Sequence, residues 1–453
     1  MKSPKLLVLF LVLALTLPAT GITAQEDITL TMWTWKVFHL PGLEAIGEKF
    51  TEETGIKTEF EFYGPDADYR SRIQTASQAG DMPDIVAYWS NGQWEMAANG
   101  LLVELTDVVD EEWASIFMPG TFDKTSVWTQ IAYDNCQANA ECLTPNLEVG
   151  QVFSVPMLGG SATFIFANRT MLEEAGLDPS VVPADTEELL DQMTTVYEAT
   201  GKGITYGGQF QDLLRGWVVN PLAITACGPA HYSNVLNGVD GYSFTDECVA
   251  NAFKFVGDIT ERDLWMPGTL QLLIDEADVA FAQGQAAFLV GGSYTLGFLI
   301  AQGMNPDDIV VYAQPALPDA IQKPMNLAPF ALIDVMVTKD SDHPEEAIEF
   351  LHFMTQPEQM ALFAQITGDF PATTLPADPE VVGELMAGLA KAYENAGDSL
   401  LASPEWAQVI TLTETWGVID AIVNKQITGE DTLENLLQAA DEAVRYDRSL
   451  REG

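Results

Sequence analysis

Between residues 28 and 91 the hydrophobic pattern switches repeatedly between periods of two and of 3.6, and that alternation confines the chain to a layered α/β architecture. Residues 28–33, ITLTMW, alternate as a strand does. Pro41 then opens a helix with Leu43, Ile46 and Phe50 on one face, and Gly55 closes it. Residues 56–63, IKTEFEFY, alternate again, with Phe60 and Phe62 on one side. Strand, helix and strand in succession predict two parallel strands with a right-handed crossover. A second helix carries Tyr69, Ile73 and Ala76 and stops at Gly80, and a third strand, PDIVAYW, follows. These elements make one α/β lobe.

The third strand carries the first chemical signal. A Gly-Asp-Met-Pro turn leads into Asp84–Ala87, and the strand ends in Tyr88, Trp89, Ser90 and Asn91. The carboxyl ends of strands in an open α/β sheet are where such folds hold ligands. Aromatic faces beside amide and hydroxyl groups suit a sugar, whose faces are apolar C–H and whose edges are polar. Pro83 and Asp84 read as turn formers rather than ligand contacts.

With 453 residues, 47% of them hydrophobic, the chain can build two or three domains, or two lobes around one ligand. Lys2 and Lys5 precede an apolar run, Leu6–Leu17, and then Pro18, Ala19, Thr20 and Gly21. This predicts a secretory signal peptide over residues 1–24, cleaved near Gly21 or Ala24. The run is too short to span a bilayer, and no cysteine near the cut invites a lipid anchor. The mature chain is expected in the periplasm or outside the cell. Formal net charge is −46, and removing a leader with two lysines and no acid takes it to −48. Such a surface repels nucleic acid and anionic lipid.

The four cysteines fall into two local pairs, and in an exported chain Cys136–Cys142 and Cys227–Cys248 are the expected disulfides. Each would contribute roughly 2–4 kcal/mol by loop closure. None of the four histidines has metal-ligand spacing, so neither metal nor cofactor is expected.

Residues 151–168 read as extended chain bent at Pro156–Gly160. Asp185 and Glu188 form a helix-capping pattern. The segment 227–248 reads as a disulfide-tied hairpin, and GQAAFLVGGSYTLG as a buried strand followed by a Gly-rich turn. FALIDVMV is another buried strand, and the C-terminal third is mainly helical.

Five segments, in order, carry a family resemblance: FTEETGIKTEFEF, GDMPDIVAYWSNGQWEMAANGLLVEL, SVPMLGGSATFIFANRTMLEEAGLDP, FAQGQAAFLVGGSYTLG and VTKDSDHPEEAIEFLHFM. Together they resemble the extracellular solute-binding proteins of ABC importers, in the carbohydrate-binding family that includes the maltose-binding type. Gln151 stands where that family often has a lysine-containing turn, and Tyr294 where it often has Trp. The resemblance implies a type II, two-lobed clamp, each lobe a mixed sheet flanked by helices. It places the N-terminal lobe at 25–152 plus 290–334 and the C-terminal lobe at 156–287 plus 336–453. Three hinge crossings would lie near 152–156, 287–291 and 333–337. It also implies a monomer that closes on its ligand and delivers it to a membrane permease, with no enzymatic step.

The candidate ligand residues follow from strand ends and aromatic content. In the first lobe they are Trp35, Lys36, Tyr63, Asp66, Tyr88, Trp89 and Ser90. In the second they are Trp217, Gly292, Ser293 and Tyr294, with Trp416 added by family analogy. Two other readings compete. The same fold could hold a polyamine or other cation, recruiting Asp66, Asp134 and Asp212. A secreted glycoside hydrolase would also join aromatics to a carboxylate pair, although no eightfold βα repeat is visible.

Overall fold

The computed structural model describes residues 28–138, 142–160, 164–323, 331–376, 378–383 and 413–452, with short pieces at 386–387 and 390. The predicted signal peptide lies outside the described residues.

Nine strands among the described residues form two sheets. They are β1 (Thr29–Thr34), β2 (Lys57–Phe62), β3 (Ile85–Trp89), β4 (Val155–Leu158), β5 (Phe164–Asn168), β6 (Ile204–Thr205), β7 (Phe288–Gly291), β8 (Ile309–Ala313) and β9 (Ile333–Val337). The first sheet runs β2-β1-β3-β9-β4 and the second β6-β7-β5-β8. β1 pairs in parallel with β2 and β3, as the βαβ pattern predicts. The linking helix, Leu40–Thr54, has Pro41 in its first turn and buries Leu43, Ile46 and Phe50. It ends at Gly55 in the left-handed region (φ 81°), whose N–H bonds back to Thr51.

β9 is wholly buried and lies antiparallel between β3 and β4. Because it sits in the middle of the first sheet, the helices after it pack there too. In Pro344–Met354, Phe350 meets Phe50 at 5.1 Å between ring centroids. Residues from Leu30 to Leu158 and from Ile333 to Ala390 share one core. The second core takes in residues from Ile165 to Leu317 and from Ile419 to Val444, and a further cluster with Phe164, Phe166 and Leu289 covers the other face of the second sheet.

This corrects the expected division into 25–152 plus 290–334 and 156–287 plus 336–453. Residues 288–313 belong with the second sheet, because β7 and β8 flank β5 there. Residues 333–390 belong with the first, and only the chain from Thr413 onward rejoins the second. The crossings move accordingly. One lies between β4 and β5, another between β8 and β9, and a third after residue 390. No crossing occurs at 287–291. A short apolar strand fits either sheet, and only its pairing decides which.

Both disulfides form as predicted, Cys136–Cys142 and Cys227–Cys248. The loop that the second one closes is not a hairpin: Pro229–Leu236 is a helix, started by Pro229 and burying Tyr232, Val235 and Leu236. Asp185 caps Thr186–Thr200 through Glu187 and Glu188, as the sequence pattern indicates.

Candidate interlobe site

Strand directions bring two sets of chain ends together. β4 runs parallel to β3, so the carboxyl ends of β1–β4 share one edge of the first sheet, which the amino end of β9 joins. In the second sheet, Phe164 at the start of β5 pairs with Gly291 and Ala313 at the ends of β7 and β8. The chain passing from Leu158 to Phe164 therefore joins these two edges directly. The edges carry Trp35, Lys36, Tyr63, Trp89 and Ser90 on one side, and Gly291–Tyr294 with the end of β6 on the other.

Within the first lobe, Trp35 is only 4% exposed. Its ring stacks with Tyr69 at 5.2 Å and meets Trp89 at 4.0 Å, so its faces are taken and it cannot serve as the expected sugar platform. Its indole N–H, however, is buried with no acceptor among the described residues. Trp89 also carries the Arg70 guanidinium 3.8 Å over its ring, and Arg72 lies 4.5 Å over Trp33. Tyr88 is half-buried beside Arg70. Tyr63 packs edge-on against Trp33 and donates to Glu61. Lys36 is half-buried just past β1. The Asp66 side chain lies outside the described residues.

The Ser90 hydroxyl, expected to face a ligand, instead donates to Asp334 at 2.7 Å. Asp334, in the centre of β9 and fully buried, also accepts from Gln93 (3.2 Å), Ser126 (3.1 Å) and Ser154 (2.7 Å). Burial pushes its carboxyl above the ordinary range, and the serine hydroxyls pull it back. This knot fixes the turn after β3, where Asn91 adopts a left-handed φ of 75°. Asp84 accepts from the Thr31 amide and hydroxyl and from Ser341, the structural part its turn sequence indicates.

Ser293, also expected to meet a ligand, is 1% exposed and donates to the Gly159 carbonyl at 3.2 Å. Gly160 has φ 125°, and a Cβ there would lie 2.0 Å from the Ser293 hydroxyl, so the crossing demands glycine. The Gly292 amide is bonded to Thr295. Tyr294 follows the end of β7 and packs beside Trp217. Its ring meets Trp217 edge-on at 5.9 Å, and its hydroxyl is buried without a partner among the described residues. Trp416 is half-buried, but Arg215, ion-paired to Asp420, lies 4.4 Å over its ring. Of the second-lobe candidates, the structure thus brings Trp217 and Tyr294 together and commits Ser293, Gly292 and Trp416 to internal contacts.

The sequence reading missed a buried acid on the helix that begins just past β6. The helix Ile274–Ala282 starts against Gly207, just past β6. It buries Asp278 to 2% exposure beside Ala277 and Phe281. Burial drives the Asp278 carboxyl well above its usual range; Asp275 adds to the shift and Lys36, from the other lobe, opposes it. Burial likewise raises the Tyr294 phenol, with Asp278, Asp275 and Asp369 adding to it. Asp369 bonds His39 at 2.9 Å, both fully buried. An acid set on the apolar face of a short helix was the available signal for Asp278. The acids that the polyamine reading recruited are not gathered: Asp134 and Asp212 are exposed on separate lobes.

A separate concavity of about 730 Å³ lies on the second lobe, between Thr186–Thr200 and Glu247–Glu261. None of the predicted ligand residues lines it. His231 approaches Cys227 and Cys248 there, but the disulfide consumes both thiols and the ring bonds Asp246 instead.

Comparison with known proteins bears on this geometry. The family model described as "Bacterial extracellular solute-binding protein" matches residues 40–361. The sn-glycerol-3-phosphate-binding periplasmic protein UgpB of Yersinia enterocolitica is 28% identical over 239 residues, half of each chain. The chain spans about half the length of the curated relatives it matches. Three solved structures share the fold across nearly the whole chain. A chitin oligosaccharide binding protein has a TM-score of 0.65 at 17% identity, covering 94% of this chain and all of its own. RafE in complex with raffinose has 0.63 at 18%, covering 93% and 100%. Maltose-bound MalE3 of T. maritima has 0.62 at 20%, covering 93% and 100%.

Proposed function

Because the chain belongs to the bacterial extracellular solute-binding proteins, we propose that it captures a sugar or oligosaccharide between its lobes and hands it to the permease of an ABC importer. Members of this family bind solutes rather than convert them, so the hydrolase reading falls away. The family places the protein outside the cytoplasm, and among the described residues no helix is long and apolar enough to cross a membrane. The protein acts as a monomer.

The observation that carries the reading is a pair of buried polar atoms near the two facing edges that have no partner among the described residues: the Trp35 indole N–H and the Tyr294 hydroxyl. Buried polar groups are nearly always satisfied, and those that are not call for a reason. A hydroxyl-rich guest would supply the missing partners, and the half-buried Trp217 and Tyr294 would meet its apolar faces. Solved neighbours that hold raffinose and maltose have the same architecture.

Thermal shifts of the purified protein against raffinose, maltotriose, xylotriose, chitin oligosaccharides, glycerol 3-phosphate and spermidine test this. A guest at 100 times its dissociation constant adds about 2.7 kcal/mol of stability. Stabilisation by a sugar, with compaction in small-angle scattering, is the expected outcome. Stabilisation by spermidine or glycerol 3-phosphate alone would replace the sugar reading.

A further inference from the structure

The two edges of the interlobe site offer a guest different things. On the second lobe, Trp217 and Tyr294 present half-buried rings. On the first, the rings at the strand ends carry cations. The Arg70 guanidinium lies 3.8 Å over Trp89, at the end of β3, and 5.7 Å from the centre of the Tyr88 ring. The Arg72 guanidinium lies 4.5 Å over Trp33, near the end of β1, and 5.2 Å over Tyr63, just past β2. Both arginines come from the helix Asp66–Ala79, which links β2 to β3. Three strand ends thus present guanidinium where a bare sugar platform was expected.

Neither arginine is neutralised. Arg215, Arg262 and Arg445 each pair with an aspartate, but among the described residues no carboxylate forms an ion pair with Arg70 or Arg72. Glu61, at the same edge, accepts from Tyr63. A ring face holds a guanidinium by its charge and gives its N–H groups no oxygen to bond. Among the described residues, Arg70 reaches the Tyr88 hydroxyl alone, at 3.4 Å, and the buried Arg72 Nε has no acceptor. Buried donors are nearly always satisfied. A guanidinium cannot shed its proton, so the demand stands at every pH. Lys36, half-buried just past β1, is a third cation on this edge. The acids of the site do not cancel the charge: Asp369 is engaged by His39, Asp275 is exposed to water, and burial holds Asp278 towards its neutral form. With 20 lysines and arginines against 66 acids in the whole chain, two unpaired guanidiniums on one ligand edge are not a background of the surface.

Resting on the sugar-capture reading, we propose that the captured sugar carries an oxyanion, a carboxylate or a phosphate, which Arg70 and Arg72 receive on the first lobe while Trp217 and Tyr294 meet the sugar's faces on the second. The guanidinium fork matches either oxyanion with two parallel bonds. The oxyanion gives the Arg72 Nε the acceptor it lacks. Held over Trp89 and Trp33, both forks are in place before the guest arrives, so little rotamer freedom is lost on binding. A guest gripped by its charge on one lobe and by its faces on the other gains both contacts only when the lobes close.

Neutral and anionic disaccharides of one shape isolate the effect: cellobiose against cellobiose 6′-phosphate and cellobiouronic acid, and maltose against maltose 6′-phosphate. The chain's net charge repels an anion at long range, and salt at about 0.15 M screens that field without reaching a contact. Titration calorimetry on the full mature chain at that salt should give at least one anionic form a Kd at least about tenfold below its neutral parent, the gain of charge-assisted bonds. The form that gains more tells carboxylate from phosphate. Arg70→Gln combined with Arg72→Gln should bring that form to within about threefold of its parent. Damage to the fold would weaken both members of a pair alike and leave their ratio in place, and thermal melting checks that the variant folds. The wild-type ratio decides the matter even if it does not. The inference is overturned if no anionic form reaches the expected gain, or if the gain survives in the folded double variant. Raffinose or maltotriose binding alongside either result leaves sugar capture standing. Silence across every sugar removes capture and inference together.

Discussion

Replacing Asp334 by Ala removes the single acceptor on which four donors converge: half-buried Ser90 and buried Gln93, Ser126 and Ser154. The donors do not suffer equally. Gln93 keeps a second bond, to the Thr125 carbonyl at 2.8 Å, so its loss is partial. The three serine hydroxyls must rotate towards other acceptors inside a strand-packed core. Stranding a buried donor costs about 1–3 kcal/mol, and breaking a buried charged cluster about 3–5 kcal/mol in all. Asp334→Ala should therefore lower stability by about 3–5 kcal/mol. Asp334→Asn should cost less, because three of the four bonds end on one oxygen, Oδ2, which an amide oxygen can replace. Only the Ser90 bond, to Oδ1, would face the amide nitrogen, and there the hydroxyl can turn and accept. Urea unfolding followed by tryptophan fluorescence measures both variants. The reasoning fails if the Ala variant loses less than about 1 kcal/mol, or if Asn costs as much as Ala.

Three other experiments test separate parts of the account. Burial holds His39 below its ordinary pKa of 6.5, with Asp369 opposing, so the unfolded chain takes up a proton that the folded chain resists. The stability this neutral imidazole contributes is present above the unfolded pKa and is lost as pH falls below it, by at most about 1.4 kcal/mol per pH unit; His39→Gln should flatten that loss between pH 7 and 5, and an unchanged slope of melting temperature rejects it. Gly160→Ala should cost about 1–3 kcal/mol from its φ alone, and pairing it with Ser293→Gly, which clears the clash, should leave that part unrecovered in urea midpoints. Trp217→Ala should weaken binding of whichever panel sugar stabilises the protein more than Trp416→Ala does, because Arg215 already covers Trp416; equal losses would show that Arg215 moves aside.

Local pattern made much of this molecule legible. The parallel β1–β2 pair, the helix started by Pro41 and closed by Gly55, the Asp185 cap and both disulfides each depend on residues near one another in sequence. The lobe division did not. IDVMV reads as a buried strand whichever sheet holds it, and its pairing with β3 and β4 joins residues about 180 to 250 positions apart. The site was half legible for the same reason. Strand ends pointed to Trp35 and Trp89, but the sequence cannot show that Tyr69, from a neighbouring helix, covers Trp35 and bonds the Trp33 and Ala87 carbonyls of both strands through its hydroxyl. Asp278 and Asp334 left a mark that is readable afterwards: one acid in an otherwise apolar face or strand, which a chain keeps only with a network or a ligand to receive it.

The seam between the lobes decides which perturbations can be felt as affinity. Leu158 and Ile333 are register partners, the Leu332 amide bonds the Leu158 carbonyl, and the Ser90 amide bonds the Leu332 carbonyl. Two crossings thus leave one edge side by side, a geometry that lets the lobes bend about a shared line while each core stays packed. Switching a rare closed form to the dominant one takes about 5 kcal/mol of differential binding, and a micromolar guest supplies about 8 kcal/mol in total. A group on the bending line makes the same contacts open or closed, so its loss changes stability and not this difference. Ser293 is such a group, with its hydroxyl on Gly159 at the first crossing. Ser293→Ala should lower stability by about 1 kcal/mol and leave the Kd of a bound sugar within about twofold. A tenfold rise in Kd, about 1.4 kcal/mol, would instead place this hydroxyl against the guest and move the bending line elsewhere.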